Sequence, residues 1–185
     1  MTGSRGGARR QGWVALLRGV NLGARNKVPM AGLRSLMADI GAEDVKTYVQ
    51  SGNVVFRSAL ARGELVRRIE GEISARFGVD ADVVLCTKAE LARVVTGNPF
   101  ADGEADPKRL HVTFLAAAPD RARVAELKGE QFEPDRFQVT RAAVYLHTPQ
   151  GYGRTRLSNT YFERKLGVRA TTRNWRTVTT LAELV

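Results

Sequence analysis

The sequence predicts an α+β fold: two ferredoxin-like (βαββαβ) subdomains in tandem, plus a C-terminal helix. Three observations carry it. Residues 13–86 spell strand, helix, strand, strand, helix, strand by their apolar periodicities, and the same order of patterns restarts at Leu110. Between the two, Thr96 to Lys108 gathers Asn98-Pro99, Asp102-Gly103 and Asp106-Pro107, the composition of a connection rather than an element. The expected organisation is a disordered basic tail at 1–12, a first subdomain at 13–97, a linker at 98–108 and a second subdomain with the terminal helix at 109–185. The duplication is one of architecture, with no clear residue-level repeat.

Taken in order, Trp13 to Leu17 is apolar at both parities, as a central strand covered on both faces must be. Gly19 to Lys27 is a loop. Pro29 suits the first turn of a helix whose apolar Met30, Leu33, Leu36, Met37 and Ile40 recur at the helical period before Gly41. Val45–Gln50 and Asn53–Arg57 read as a tight hairpin through Ser51-Gly52, with Val45, Val49, Val54 and Phe56 on one face and Lys46, Tyr48, Gln50, Asn53 and Arg57 on the other. Leu65, Ile69, Ile73 and Phe77 define a helix from Arg62 that Gly78 stops, and Asp82 to Cys86 is a strand. Lys88 to Val95 is a short helix. In the second copy, Leu110–Ala116 is a strand and Asp120–Lys128 a helix. Arg136–Thr140 and Ala142–His147 form a hairpin, Asn159–Leu166 is a helix stopped by Gly167, and Val168–Thr172 is the last strand. Trp175 to Leu184 is the terminal helix, capped by Asn174 or Thr172.

Composition narrows the function classes. The chain has 185 residues, 43% hydrophobic and 26% charged, which is globular material with enough apolar content for one full core or two small ones. No run approaches the ~18 apolar residues of a membrane span, and no apolar region follows the basic N-terminus, so a cytoplasmic protein without a membrane partner is expected. Cys86, the single cysteine, sits in an apolar run and reads as a buried strand residue. His111 and His147 lie far apart without ligand spacing, so neither a metal nor another cofactor is expected. The net charge of +10 is concentrated at the ends. Arg5, Arg9 and Arg10 stand without acids in the tail, and from Gly151 onward seven cations face only Glu163 and Glu183.

ALLRGVN at Ala15–Asn21, KVPM at Lys27–Met30, TYVQSGNVVF at Thr47–Phe56 and ATTRNWRTVTTL at Ala170–Leu181 together resemble a bacterial family catalogued as a domain of unknown function. The resemblance runs over nearly the whole chain after the tail and implies two ferredoxin-like subdomains. It implies no activity and no catalytic residues.

Three constellations are candidate sites. The loop of Arg18, Gly19, Asn21, Gly23, Arg25 and Lys27 enters a helix N-terminus and can offer backbone N–H groups, a helix dipole and positive charge to a phosphate or carboxylate. It matches neither the Walker A pattern nor G-x-G-x-x-G, and its glycines can equally serve turn geometry alone. The segment with Arg173, Asn174 and Arg176 is dense in donors, and Trp175 beside it reads as a packing anchor before a base-stacking platform. The third is the hairpin face with Tyr48, Gln50, Asn53 and Arg57, opposed by Gln138, Thr140, Tyr145 and His147 of the second subdomain across a cleft. Stacking of RNA on the first sheet is not expected, because Leu16 or Leu17 and Val55 stand where aromatics are needed.

Catalysis has thinner support: no nucleophile elbow, Cys/His pair or H-E-x-x-H is present, and only His147 or Tyr145 offers an acid or base. The leading expectation is a non-enzymatic binding protein for an anionic ligand, a nucleic acid or a phosphorylated small molecule. The alternative is a small-molecule enzyme with its site in the cleft between the two subdomains, and a third class is a partner-binding module with an exposed apolar patch.

Overall fold

The computed structural model describes residues 10–101 and 106–185. Most of the basic tail and Asp102-Gly103 of the linker lie outside these residues. The first half contains β1 (Gln11–Arg18), α1 (Met30–Asp39), β2 (Glu43–Tyr48), β3 (Asn53–Ser58), α2 (Arg62–Phe77), β4 (Asp82–Thr87) and α3 (Lys88–Thr96). The second repeats that order with β5 (Leu110–Leu115), α4 (Arg121–Lys128), β6 (Arg136–Val139), β7 (Ala143–His147), α5 (Asn159–Leu166), β8 (Ala170–Asn174) and α6 (Trp175–Leu184). The strands form two antiparallel sheets of order β2-β3-β1-β4 and β6-β7-β5-β8. The α+β fold is therefore that of two ferredoxin-like subdomains, each closed by a further helix.

The two apolar parities of β1 serve two different cores. Trp13, Ala15 and Leu17 join Leu33, Leu36, Leu65, Ile69 and Phe56 under α1 and α2. Val14 and Leu16 point the other way, into a cluster shared with Val112, Phe114 and Tyr145 of the second sheet and with Val94 of α3 and Leu181 of α6. Each such side chain contributes about 1.5–3 kcal/mol when fully buried, so a strand apolar on both sides binds a subdomain to its own helices and to its partner half together. Trp175 packs against the same shared cluster, as a helix anchor does.

The helix ends follow local rules. Thr87 and Glu90 form a capping box on α3, and Asn174 accepts from the Thr177 amide at the start of α6. Gly78 and Gly167 end α2 and α5 in the left-handed conformation. Four expectations need correction. β1 starts at Gln11, two residues early, paired with Ser58 and Arg57. The β2–β3 connection is not a two-residue hairpin: Val49 to Gly52 all lie outside the strands, and Val49 turns outward instead of joining Val54 and Phe56. Gly52, at φ 72, sits where a Cβ would come within 2.7 Å of Leu17 and Val20. Pro29 occupies the N-cap with extended backbone and not the first helical turn. The last strand runs Ala170–Asn174 rather than 168–172, because Arg173 points into the interface instead of ending the strand.

The registers reveal a residue-level equivalence that the bare sequence hides. Trp13 pairs with Phe56 and Thr87, while His111 pairs with Leu146 and Asn174, and Thr87 and Asn174 are each the N-cap of the helix that follows. Leu17 therefore corresponds to Leu115, and both donate a backbone N–H to the turn of their own hairpin, Gly52 O and Ala142 O respectively. By the same alignment Cys86 corresponds to Arg173.

Arg173 locks the halves together. Its Nε donates to Asn53 Oδ1, Nη1 to Thr171 Oγ1 at 2.8 Å and Thr172 O at 2.9 Å, and Nη2 to Leu17 O at 2.6 Å and Ser51 O at 3.2 Å. All five N–H groups of the guanidinium are satisfied by neutral acceptors. Burial pulls the pKa of Arg173 down to about 10, which leaves it a cation at neutral pH. At one rim, Arg18 pairs with Glu163 and lies 3.6 Å from Asp82, while Arg169 pairs with Asp82 and Glu70 at 2.8 Å, so carboxylates and cations of both halves interleave.

Arg173→Leu strands several buried acceptors at once and is expected to cost about 3–5 kcal/mol. Urea denaturation measures it. A loss below about 1 kcal/mol would show that the guanidinium does not hold the interface.

Candidate functional site

The predicted anion loop is a closed structure. Gly19, Asn21, Gly23 and Asn26 all have positive φ. The Asn21 side chain donates to Val28 O and Gln50 O and accepts from the Val28 amide, and Asn26 donates to Gly19 O. No protein atom would obstruct a Cβ at Gly19 or Gly23, so it is their positive φ that favours glycine there. Asn53 is spent on Arg173, Tyr48 O and Ser51 Oγ, Asn174 on its cap, and Arg18 on its carboxylates. Arg173 reaches only the flanks of the loop, Leu17 O in β1 and Ser51 O in the β2–β3 connection, and among the described residues no hydrogen bond joins residues 19–27 to the Arg173 segment. Of the eleven predicted ligand residues, Gln50, Arg25, Lys27 and Arg176 remain exposed to solvent without an ion pair among the described residues.

Two apolar residues stand out on the same edge. Leu22 is 70% exposed and Val49 is 51% exposed, and the Asn21–Gln50 hydrogen bond holds their loops together. Val49 has φ 50, a conformation that a β-branched side chain resists.

A more enclosed site lies between the halves. A cavity of about 700 Å³ opens where the ends of β4 and β5 approach α3 and the β6–β7 turn. Its floor is apolar, with Leu85, Val94, Phe114 and Leu115, and its rim carries Arg62, Arg93 and Arg141 against one carboxylate, Glu90, among the described residues. Arg62 is held rigidly: it donates to Leu85 O and to both Glu90 oxygens and lies 5.2 Å from the Trp13 ring centroid. Burial raises the pKa of Glu90, but hydrogen bonds from Arg62 and the Thr87 amide outweigh that and hold it below the ordinary carboxylate value. Arg93 and Arg141 make no ion pair among the described residues.

Tyr145 lines the cavity and donates its hydroxyl to Val94 O at 3.0 Å. Gly97 is required beside it, since a Cβ there would lie 3.0 Å from the Tyr145 hydroxyl. Thr140 also reaches the cavity, whereas His147 sits outside it against Arg136, and His111 is buried and stacked on Tyr152. Burial pushes the Cys86 thiol up to about 12, so it is protonated at neutral pH and not a nucleophile. Among the described residues no group of three His, Cys, Asp or Glu is placed to hold a metal ion. The arginines of this cleft escaped sequence reasoning because 62, 93 and 141 are far apart in the chain. The one local signal was Thr87-Lys88-Ala89-Glu90, a capping-box pattern that fixes Glu90 at the head of α3.

Two four-stranded sheets, each with two helices on its outer face, together with α3, α6 and a lined cleft between the halves, define a tandem ferredoxin-like α+β protein. The chain belongs to the family described as protein of unknown function (DUF1697), whose model matches residues 11–145. No curated protein matches it. Among solved structures it is similar to the conserved bacterial protein SP0830 from Streptococcus pneumoniae, with 22% identity, coverage of 95% of this chain and 99% of that chain, and a TM-score of 0.76. That likeness shows the fold, including its tandem arrangement.

Val49→Asn keeps the turn but removes a branched side chain from the left-handed region. It is expected to raise stability by about 1 kcal/mol in thermal unfolding. Glu90 has a depressed folded-state pKa, so its contribution is complete above the ordinary carboxylate pKa and disappears as pH falls through the folded value. Wild type should therefore lose more stability than Glu90→Gln between about pH 6 and about pH 3, as urea midpoints read at each pH will register.

Proposed function

We propose that this is a non-enzymatic binding protein for an anionic ligand, and that a small anionic molecule is held in the cleft between the two subdomains. One observation carries it: Arg93 and Arg141, without an ion pair among the described residues, stand with the Arg62–Glu90 pair around an apolar cavity, and Glu90, its one carboxylate among the described residues, is already engaged by Arg62 and the Thr87 amide. Positive charge beside a low-dielectric floor attracts an anion more strongly than the same charge on open surface. A small-molecule enzyme in the same cleft is the weaker alternative, since the Cys86 thiol is protonated and the Tyr145 hydroxyl is committed to Val94 O. Nucleic acid is also weaker: the sheet faces turned toward the partner half are buried in the shared cluster, Arg25, Lys27 and Arg176 stand apart, and the exposed Arg156 and Arg164 that do share an open concave surface, with Phe132 and Tyr161, have Glu130 beside them. We place the protein in the bacterial cytoplasm, a choice supported by its bacterial structural relative and by the lack, among the described residues, of a helix long and apolar enough to cross a membrane.

Thermal shift with a panel of small phosphates and carboxylates tests the cleft. A ligand at about ten times its Kd should raise the Tm by several degrees, and the Arg93→Glu/Arg141→Glu double variant should abolish the shift. Silence across the panel, or a shift that survives the double variant, would remove the proposal. Fluorescence anisotropy with RNA and DNA at low salt checks the nucleic-acid branch, which predicts steeply salt-dependent binding.

A further inference from the structure

The duplication supplies an internal comparison for the cleft. In one copy the space between the end of the last strand and the opposite hairpin is filled by Arg173, which reaches Leu17 O, Ser51 O and Asn53. The pseudo-equivalent space in the other copy is the open cleft. Three polar groups that close the first are apolar in the second. Cys86 stands for Arg173, since Val14 pairs with Cys86 as Val112 pairs with Arg173. Ala143 stands for Asn53, since Leu16 pairs with Asn53 as Phe114 pairs with Ala143. Val84 stands for Thr171, since they pair with Leu16 and Phe114 in turn. The backbone carbonyl of Leu85, equivalent to that of Thr172, is taken by Arg62.

The cleft has thus lost the two side-chain acceptors that receive the guanidinium in the other copy and has gained hydrocarbon. Its remaining side-chain acceptors are engaged: Glu90 by Arg62 and Thr87, and Thr140 by the amide of Ala143, to whose carbonyl it also donates. A ligand with several buried N–H or O–H donors would leave them unmatched at a cost that selects against it. An apolar body faces no such cost against Val94, Phe114 and the small side chains of Ala116 to Ala118.

We infer that the cleft is the unplugged twin of the Arg173 site and takes an amphipathic monoanion, an alkyl or aryl carboxylate, with its chain on the apolar floor and its head at Arg93 and Arg141, beside the Arg62–Glu90 pair. This rests on the cleft being the anion site. Isothermal titration of the full chain with acetate, hexanoate, octanoate and decanoate below their micelle concentrations, and with AMP and inorganic phosphate, tests it. Affinity should rise by up to about fourfold per added methylene while AMP and phosphate bind far more weakly. Arg93→Glu/Arg141→Glu should weaken every member of the series, whereas Ala117→Trp, which narrows the cleft, should weaken decanoate much more than acetate. Far-ultraviolet circular dichroism and Tm establish that both variants are folded. Phosphate or AMP binding as tightly as decanoate, with no chain-length trend, would overturn this inference and leave the anion-binding function standing. No binding by any probe would overturn both, and a chain-length trend indifferent to the variants would place the alkyl site elsewhere and also overturn it.

Discussion

The arrangement of the two halves depends on one buried cation. Removing a guanidinium from water is expensive, and among the described residues no carboxylate pairs with it to offset the cost. Five N–H groups meet five oxygens instead, drawn from β1, the β2–β3 connection, Asn53 at the start of β3, and β8. Because the acceptors are fixed backbone and short side chains, the planar fork fits in one orientation only, and that orientation sets the register between the sheets. Apolar contact alone is less selective: a cluster of valine, leucine and phenylalanine excludes water but tolerates sliding, whereas a directional set of hydrogen bonds does not. The interface therefore divides its work, with hydrocarbon supplying most of the association and Arg173 supplying its geometry.

The fold was legible because it is written in local patterns. Periods of two and of about 3.6 residues, with glycines after α2 and α5, located nearly every element, and the double-sided apolar character of β1 already required a second covering layer. Arg173 was not legible, for an arginine in a donor-rich segment looks like a ligand residue unless the partners that occupy it are known. The same holds for Arg18, Asn21 and Asn53. Arg18 and Asn21 belong to a stretch that reads as an anion loop in one dimension and Asn53 to a polar hairpin face, and each is consumed by contacts across 7 to 145 residues of sequence. Val49 follows a related rule: alternation assigns it inward, while the four-residue connection that ends at Gly52 turns it out.

Charge behaves similarly. The excess of +10 invites attention to the ends of the chain, yet Arg18, Arg169 and Arg173 near those ends are paired or buried. Among the described residues, Arg93 and Arg141, from the middle of the sequence where the formal balance is close to even, share one concave surface without an ion pair, and Arg156 and Arg164, from the basic C-terminal part, share another. Total charge predicted that an anion could be attracted; only folding shows where positive charge and hydrocarbon coincide.

Tandem duplication in one chain also has a consequence for symmetry. Two identical copies associating about a two-fold axis would carry the same residue at both related positions, giving two arginine plugs or two open clefts. Joined covalently, the copies are free to diverge, and this chain holds Arg173 at one position and Cys86 at the other. One side of the axis is thereby a rivet and the other a vacancy. Rigidity and room for a guest, which compete when a single interface must supply both, are separated here by the breaking of an internal symmetry.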